Sequence, residues 1–274
     1  MRGVWRIKSS WRKCRLLYSR YRLASSYQRG GTFRIIAWLY ESNETTNFTY
    51  NLSERNIKHL VGFVAHITQR PYDEINRYVN EILGDQELQN HVVNHTKAYG
   101  AADSGADIIP KYARRIGWYA FVRALKPNVI IETGVEKGLG TVVLAAAVKK
   151  NTEEGGGGHV YGTDINQSAG WLLQPPYSQF ATILYGDSIA SLKSFDQAVD
   201  LFINDSDHSS DYEAQEYRVI KSKLAPHALI LGDNAHCSDA LMDFAKENGF
   251  DFLFFSEEPK NHWYPGGGIG VAVL

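Results

Sequence analysis

From Pro110 to the C terminus, short apolar runs alternate with segments of helical periodicity, and this alternation restricts the fold more than any other feature. The apolar runs are Val129–Ile131, His159–Asp164, Ala181–Tyr185, Val199–Asn204, Ala228–Gly232 and Phe250–Phe255. Helical segments separate these six. The clearest are Pro110–Leu125, an Ala/Val-rich stretch ending near Lys150, Tyr212–Leu224 and Asp239–Asn248. Strand–helix alternation of this kind predicts an α/β chain with a Rossmann-like, largely parallel, doubly wound sheet and right-handed crossovers. A seventh run, Ile269–Leu274, follows the Gly266–Gly268 turn with no helix before it, which predicts an antiparallel hairpin at the sheet edge. Ligands of such sheets lie beyond the carboxyl ends of the strands.

The region before Pro110 follows other rules. Ser53 can cap a helix carrying Ile57, Leu60, Val61 and Val64 at helical spacing. Pro71 interrupts it, and a second helix is predicted from Asp73 to Ile82. Gly100–Gly105 is small-residue-rich and suits a hinge. Three regions are expected: a basic arm over 1–52, a helical cap or lid over 53–105, and the main domain over 106–274. Residues 1–34 hold ten Lys/Arg and no acid, while the rest of the chain carries all 30 acids against 19 bases. Such an arm is compatible with a solvated tail, with contact to an anionic surface, or with an organellar transit peptide. With 44% apolar and 22% charged residues the composition is that of a soluble globular protein, and no apolar run is long enough to span a bilayer. Two cysteines, Cys14 and Cys237, make no disulfide framework, so a cytoplasmic, at most membrane-peripheral, location is expected.

The first strand of the main domain ends in Glu132-Thr-Gly134-Val-Glu-Lys-Gly138-Leu-Gly140. Glycines there let the backbone pass close to a ligand, and the following helix points its N-terminal dipole at it. The spacing departs from the G-x-G-x-x-G dinucleotide fingerprint. The second strand ends at Asp164, a position from which a carboxylate can accept both hydroxyls of a ribose. The third leads to Asp187, suited to an adenine amine. Each acid alone is as readily a helix cap; three at the ends of three successive strands form a pattern. Glu132-x-Gly134-x-x-x-Gly138 with Asp164 and Asp187 resembles the S-adenosylmethionine-binding motifs of class I methyltransferases, over roughly residues 110–274. The resemblance implies Gly134 near the methionine moiety, Asp164 on the ribose, Asp187 near the adenine, and an antiparallel last strand.

The fourth strand ends in Asn204-Asp205-Ser-Asp207-His208 and the fifth in Gly232-Asp233-Asn234. Neighbouring parallel strands would bring Asp205, Asp233 and Asn234 together as a hard-oxygen set suited to Mg2+, Mn2+ or Ca2+. The bland reading makes Asp205 and Asp233 helix caps. Together the three resemble the metal site of catechol and caffeoyl-coenzyme-A type O-methyltransferases. Asp205-x-Asp207-His208 is also similar to the macrolide-sugar O-methyltransferases and the related cephalosporin-hydroxylase-like group, where a His three residues after the metal Asp is the general base, matching His208. Those sugar enzymes carry an acidic pair where this chain has Asp233-Asn234. The resulting expectation is transfer of methyl from S-adenosylmethionine, with Mg2+, to a hydroxyl of a sugar, glycan or small secondary metabolite. A homo-oligomer is left open and no specific nucleic-acid partner is expected. The rival readings are a metal-independent methyltransferase and a nucleic-acid-binding protein using the basic arm on a degenerate Rossmann-like body.

Overall fold

The structure, a computed structural model, describes residue 18 and residues 31–44, 49–100, 105–233 and 235–274. Most of the basic arm, the core of the expected hinge and Asn234 lie outside the described residues. The chain divides into two compact units, one of residues 1–42 with 261–263, the other of residues 43–260 with 264–274. In the first, helix α1 (Gly31–Glu41) buries none of its residues. Its Arg34 reaches the His262 carbonyl at 3.5 Å, and Trp38 meets Trp263 edge to face.

The second unit holds the sheet. Its strands are β1 (Val129–Thr133), β2 (His159–Asp164), β3 (Ala181–Tyr185), β4 (Val199–Asn204), β5 (Leu224–Gly232), β6 (Asp251–Ser256) and β7 (Gly268–Val273), in the order β3-β2-β1-β4-β5-β7-β6. The first five are mutually parallel, and β7 runs antiparallel to both β5 and β6. Both the Rossmann-like sheet and its reversed last strand are thus as expected. β5 begins four residues earlier than its apolar run, and the β2–β3 connection carries a single turn of 3-10 helix, Tyr177–Gln179, in place of an α-helix.

Two apolar cores flank the sheet. On one face lie α5 (Arg115–Leu125) and α6 (Leu139–Glu153), whose Trp118, Phe121, Val143 and Leu144 are fully buried. Against them pack α2 (Glu54–Thr68), α3 (Tyr72–Gly84) and α4 (Gln86–Tyr99). Ser53 caps α2 by accepting from the Asn56 amide, as its sequence suggests, and Asp85 caps α4 in the same way. Leu60, Val64, Ile75, Val79 and Leu88 share this one core with the strands, so α2, α3 and α4 are built into the main body. The other face carries α7 (Ser188–Ser194), α8 (Ser210–Ile220) and α9 (Ala240–Asn248) around Leu192, Tyr217 and Phe244. α5 starts five residues after Pro110 because Ala113 takes a left-handed conformation, φ 48°, which a helix cannot continue through. That break sets Arg114 and Arg115 at the helix entrance.

Candidate active site

Register places the site. Thr133 pairs with Thr163 and Asn204, and Asn204 with Gly232, so these four form one row across the sheet. The next residues along each strand, Gly134, Asp164, Asp205 and Asp233, therefore emerge side by side at the carboxyl edge. Three backbone bonds extend the ladder one step: Gly134 N–H to the Thr163 carbonyl, Asp205 N–H to Thr133 and Asp233 N–H to Asn204, at 2.9, 3.0 and 2.9 Å. Gly134 sits at φ 83°, and a Cβ there would lie 2.0 Å from the Asp205 carbonyl oxygen, so only glycine lets the two turns approach this closely.

A cavity of about 520 Å3 opens over this edge, within the range of small-molecule sites. Glu132, Gly134, Asp164, Asp187, Asp205 and His208 all line it; Gly138, at φ 93°, stands just before α6. The Glu132 carboxyl is buried and accepts from Thr141 Oγ1 at 2.5 Å; burial, partly offset by that hydrogen bond, pushes its pKa up to about 7. Asp164 accepts from the Glu136 and Asn166 amides at 2.7 and 2.8 Å, one on each oxygen. Asp187 caps α7 through the Ala190 amide at 2.8 Å and also accepts from the Tyr212 hydroxyl at 2.8 Å. Its capping and cavity-lining positions thus coexist. Ile165, 79% exposed, adds an apolar surface to the cavity wall beside these acids. His208 and Asp207 are exposed at the rim, Asp207 accepting from the Ser209 amide at 2.8 Å.

The expected metal set assembles only in part. Asp205 and Asp233 do come together, close enough that burial and the neighbouring Asp233 charge hold the Asp205 carboxyl well above the usual range. Asp233, however, gives both oxygens to the Arg114 guanidinium, from Nε and from one Nη. Burial would raise the Asp233 pKa, but Arg114 keeps it below its ordinary value. Arg114 also lies 3.5 Å from Glu257, and Arg115 3.7 Å from Asp205. Asn234, the third expected ligand, lies outside the described residues. Among those described, no three His, Cys, Asp or Glu side chains converge on a metal site. A divalent ion would need lone pairs that already face guanidinium protons and would sit against two fixed positive charges, so the residues present do not fit one. As placed, the expected ligands Asp205 and Asp233 each face a guanidinium.

The two arginines are the main functional residues that the motifs missed. Their signal was two adjacent cations leading straight into an uncharged, largely apolar run, Ile116 to Val122. Glu216 was missed as well. Buried on α8, it accepts from Ser206 Oγ at 2.8 Å and Thr133 Oγ1 at 3.3 Å, as well as from Ser188 and Asn204, bracing the turn that carries Asp205. Burial holds its carboxyl above the ordinary range. Surface-exposed His236 accompanies the network, its pKa lowered by desolvation and then by Arg114, with Tyr264 Oη 3.1 Å from Nε2.

Five parallel strands with a reversed seventh inserted beside the fifth, and a cavity walled by acids at the carboxyl edge, define the class I methyltransferase fold. Residues 131–235 match the family model described as a methyltransferase domain, a span that runs from within β1 to just past Asp233. Among solved structures, an O-methyltransferase from Bacillus cereus in complex with SAH is similar at 15% identity, covering 72% of this chain and 96% of that one, with a TM-score of 0.53. A methyltransferase from Geobacter sulfurreducens is similar at 16% identity, covering 67% and 90%, with a TM-score of 0.50. At these identities the likeness is one of fold. A search of curated protein sequences finds no match.

Proposed function

We propose that this chain transfers a methyl group from S-adenosylmethionine to a hydroxyl oxygen of a sugar, glycan or small metabolite. The observation that carries the reading is the cavity itself, because its chemistry changes along its length in the order the donor requires. Asp187 and Ile165 offer a hydrogen-bond acceptor and an apolar face to the adenine. Asp164 has one protein donor on each oxygen and keeps lone pairs for two ribose hydroxyls. Glu132 and Gly134 take the methionine end. There Arg115, 8% exposed and with its Nε unpartnered among the described residues, supplies a guanidinium for the donor's carboxylate. The Bacillus cereus relative, solved with SAH, supports a donor of this kind.

The acceptor enters over the rim formed by Asp205, Asp207 and His208. Transfer is an in-line displacement in which the oxygen–methyl bond forms as the sulfur–methyl bond breaks, and the hydroxyl proton passes to His208. The sulfonium becomes a neutral thioether, so the donor loses its charge in the same step. Positioning two bound reactants supplies much of the acceleration, and a placed base adds a hundredfold or so. The acid-rich rim gives no support to nucleic-acid binding, which wants basic surface.

The experiment uses methyl-labelled S-adenosylmethionine with a panel of glycosides, polyols and phenolic alcohols. Label should appear in an O-methyl ether, and His208→Ala should lower the rate about a hundredfold. Label on nitrogen only, or an unchanged rate in His208→Ala, would overturn the reading or its base respectively.

A further inference from the structure

We propose that the Arg114 guanidinium is the resident cation of this site: it stands where a divalent ion would have to stand, and Asp233 and Glu257 serve to hold it.

Arg114 is placed with little freedom. It follows left-handed Ala113 at the entrance to α5, and its side chain is 13% exposed. The planar fork meets Asp233 with two donors, the geometry in which a carboxylate is fully engaged. Its remaining side faces Glu257, 3.5 Å away. Glu257 is fixed in turn, one oxygen accepting from the Tyr50 hydroxyl at 2.7 Å and from the Gly267 amide at 3.2 Å. The cation is thus clamped between the end of β5 and the β6–β7 connection. One residue on, Arg115 sets a second guanidinium against Asp205. Asp233 is fully engaged by Arg114, and Asp205 has the Arg115 guanidinium 3.7 Å away. An incoming Mg2+ would compete for the same oxygens and meet two like charges.

Arg114 therefore acts as a positioning residue. By engaging both oxygens of Asp233 it fixes the carboxylate at the end of β5. Methyl transfer would then run without a bound metal, a consequence that rests on the donor reading above, whereas the cation claim itself is measured without any donor.

The full chain is stripped with chelator and titrated with Mn2+, followed by the electron paramagnetic resonance signal of the free ion. The wild type should leave that signal unchanged up to millimolar ion. Arg114→Met, which removes the charge and keeps the bulk, should gain a site, and adding Asp205→Asn to it should remove that site again. Arg114→Lys should stay blind to Mn2+. Stoichiometric Mn2+ binding by the wild type would overturn the proposal, and that arm holds even if Arg114→Met fails to fold. A folded Arg114→Met that gains nothing would overturn it too. Failure of the wild type to bind SAH in a parallel titration would strike the donor reading instead and leave the Mn2+ result standing.

Discussion

Glu132 is a carboxyl held in the floor of the cavity by burial, and its ionisation should be visible in the stability of the unliganded protein. Its folded pKa of about 7 lies above the ordinary 4.5. A raised acid favours the folded state while protonated, so its contribution is complete below the unfolded value and is lost as pH rises through 7. Wild type should therefore lose up to about 3 kcal/mol relative to Glu132→Gln between about pH 5 and about pH 8. Urea unfolding of both proteins at the two pH values measures it, and parallel curves would mean that the carboxyl ionises freely. At this scale the motifs were legible wherever one residue type does one job. Glu132, Gly134, Asp164 and Asp187 line the predicted cavity because strand ends are fixed by register. The Arg114–Asp233 pair was not legible, since it joins residues 119 apart across a loop whose conformation turns on a single left-handed residue. The bare spacing of Asp205 and Asp233 reads equally as a metal site or as an arginine clamp.

Between elements, the most exposed dependence is on Arg123. Buried in α5, it donates to Glu81 of α3 at 2.7 Å, to Glu154 just past α6 at 2.6 Å and to Asn151 at 2.5 Å, and lies over the Tyr78 ring. Arg123→Met keeps much of the volume but takes the guanidinium from both glutamates, leaving Glu81 with the Tyr119 hydroxyl and Glu154 with Lys126. The glutamates are part-exposed, 30% and 48%, and can rehydrate, so the loss should sit near the lower end for a broken buried pair, about 3 kcal/mol. Denaturant unfolding reads the difference, and an unchanged midpoint would show that the helical layer does not need this tie. The strands and their largely parallel arrangement followed from apolar runs and crossover rules, whereas the order β3-β2-β1-β4-β5-β7-β6 came from the structure. The helix α4 escaped notice because its apolar positions, Leu88, Val92 and few others, are spread among polar residues. Its cap at Asp85 was the available signal.

For the whole molecule, the charge asymmetry is compatible with a solvated tail or with contact to an anionic surface. Ten bases precede the first acid, and α1, which follows most of them, leaves Phe33, Leu39 and Tyr40 exposed at 78%, 62% and 88%. Basic charge beside exposed apolar side chains suits an anionic membrane surface. No helix among the described residues is long and apolar enough to cross a membrane. Deleting residues 1–34 should weaken sedimentation with vesicles containing phosphatidylserine, most at low salt, and leave SAH affinity unchanged. Equal sedimentation of both proteins would remove the arm as a recruiting element.

The central claim is that the cavity at the carboxyl edge holds the methyl donor, and calorimetric titration with SAH tests it most directly. The wild type should bind one equivalent. Asp164→Ala, which removes the two acceptor oxygens facing the ribose while leaving the fold intact, should bind at least tenfold more weakly, the loss expected when charged hydrogen bonds of about 1.5–3 kcal/mol are removed. A folded wild type that takes up no SAH, or an Asp164→Ala variant that binds it as tightly, would contradict the account.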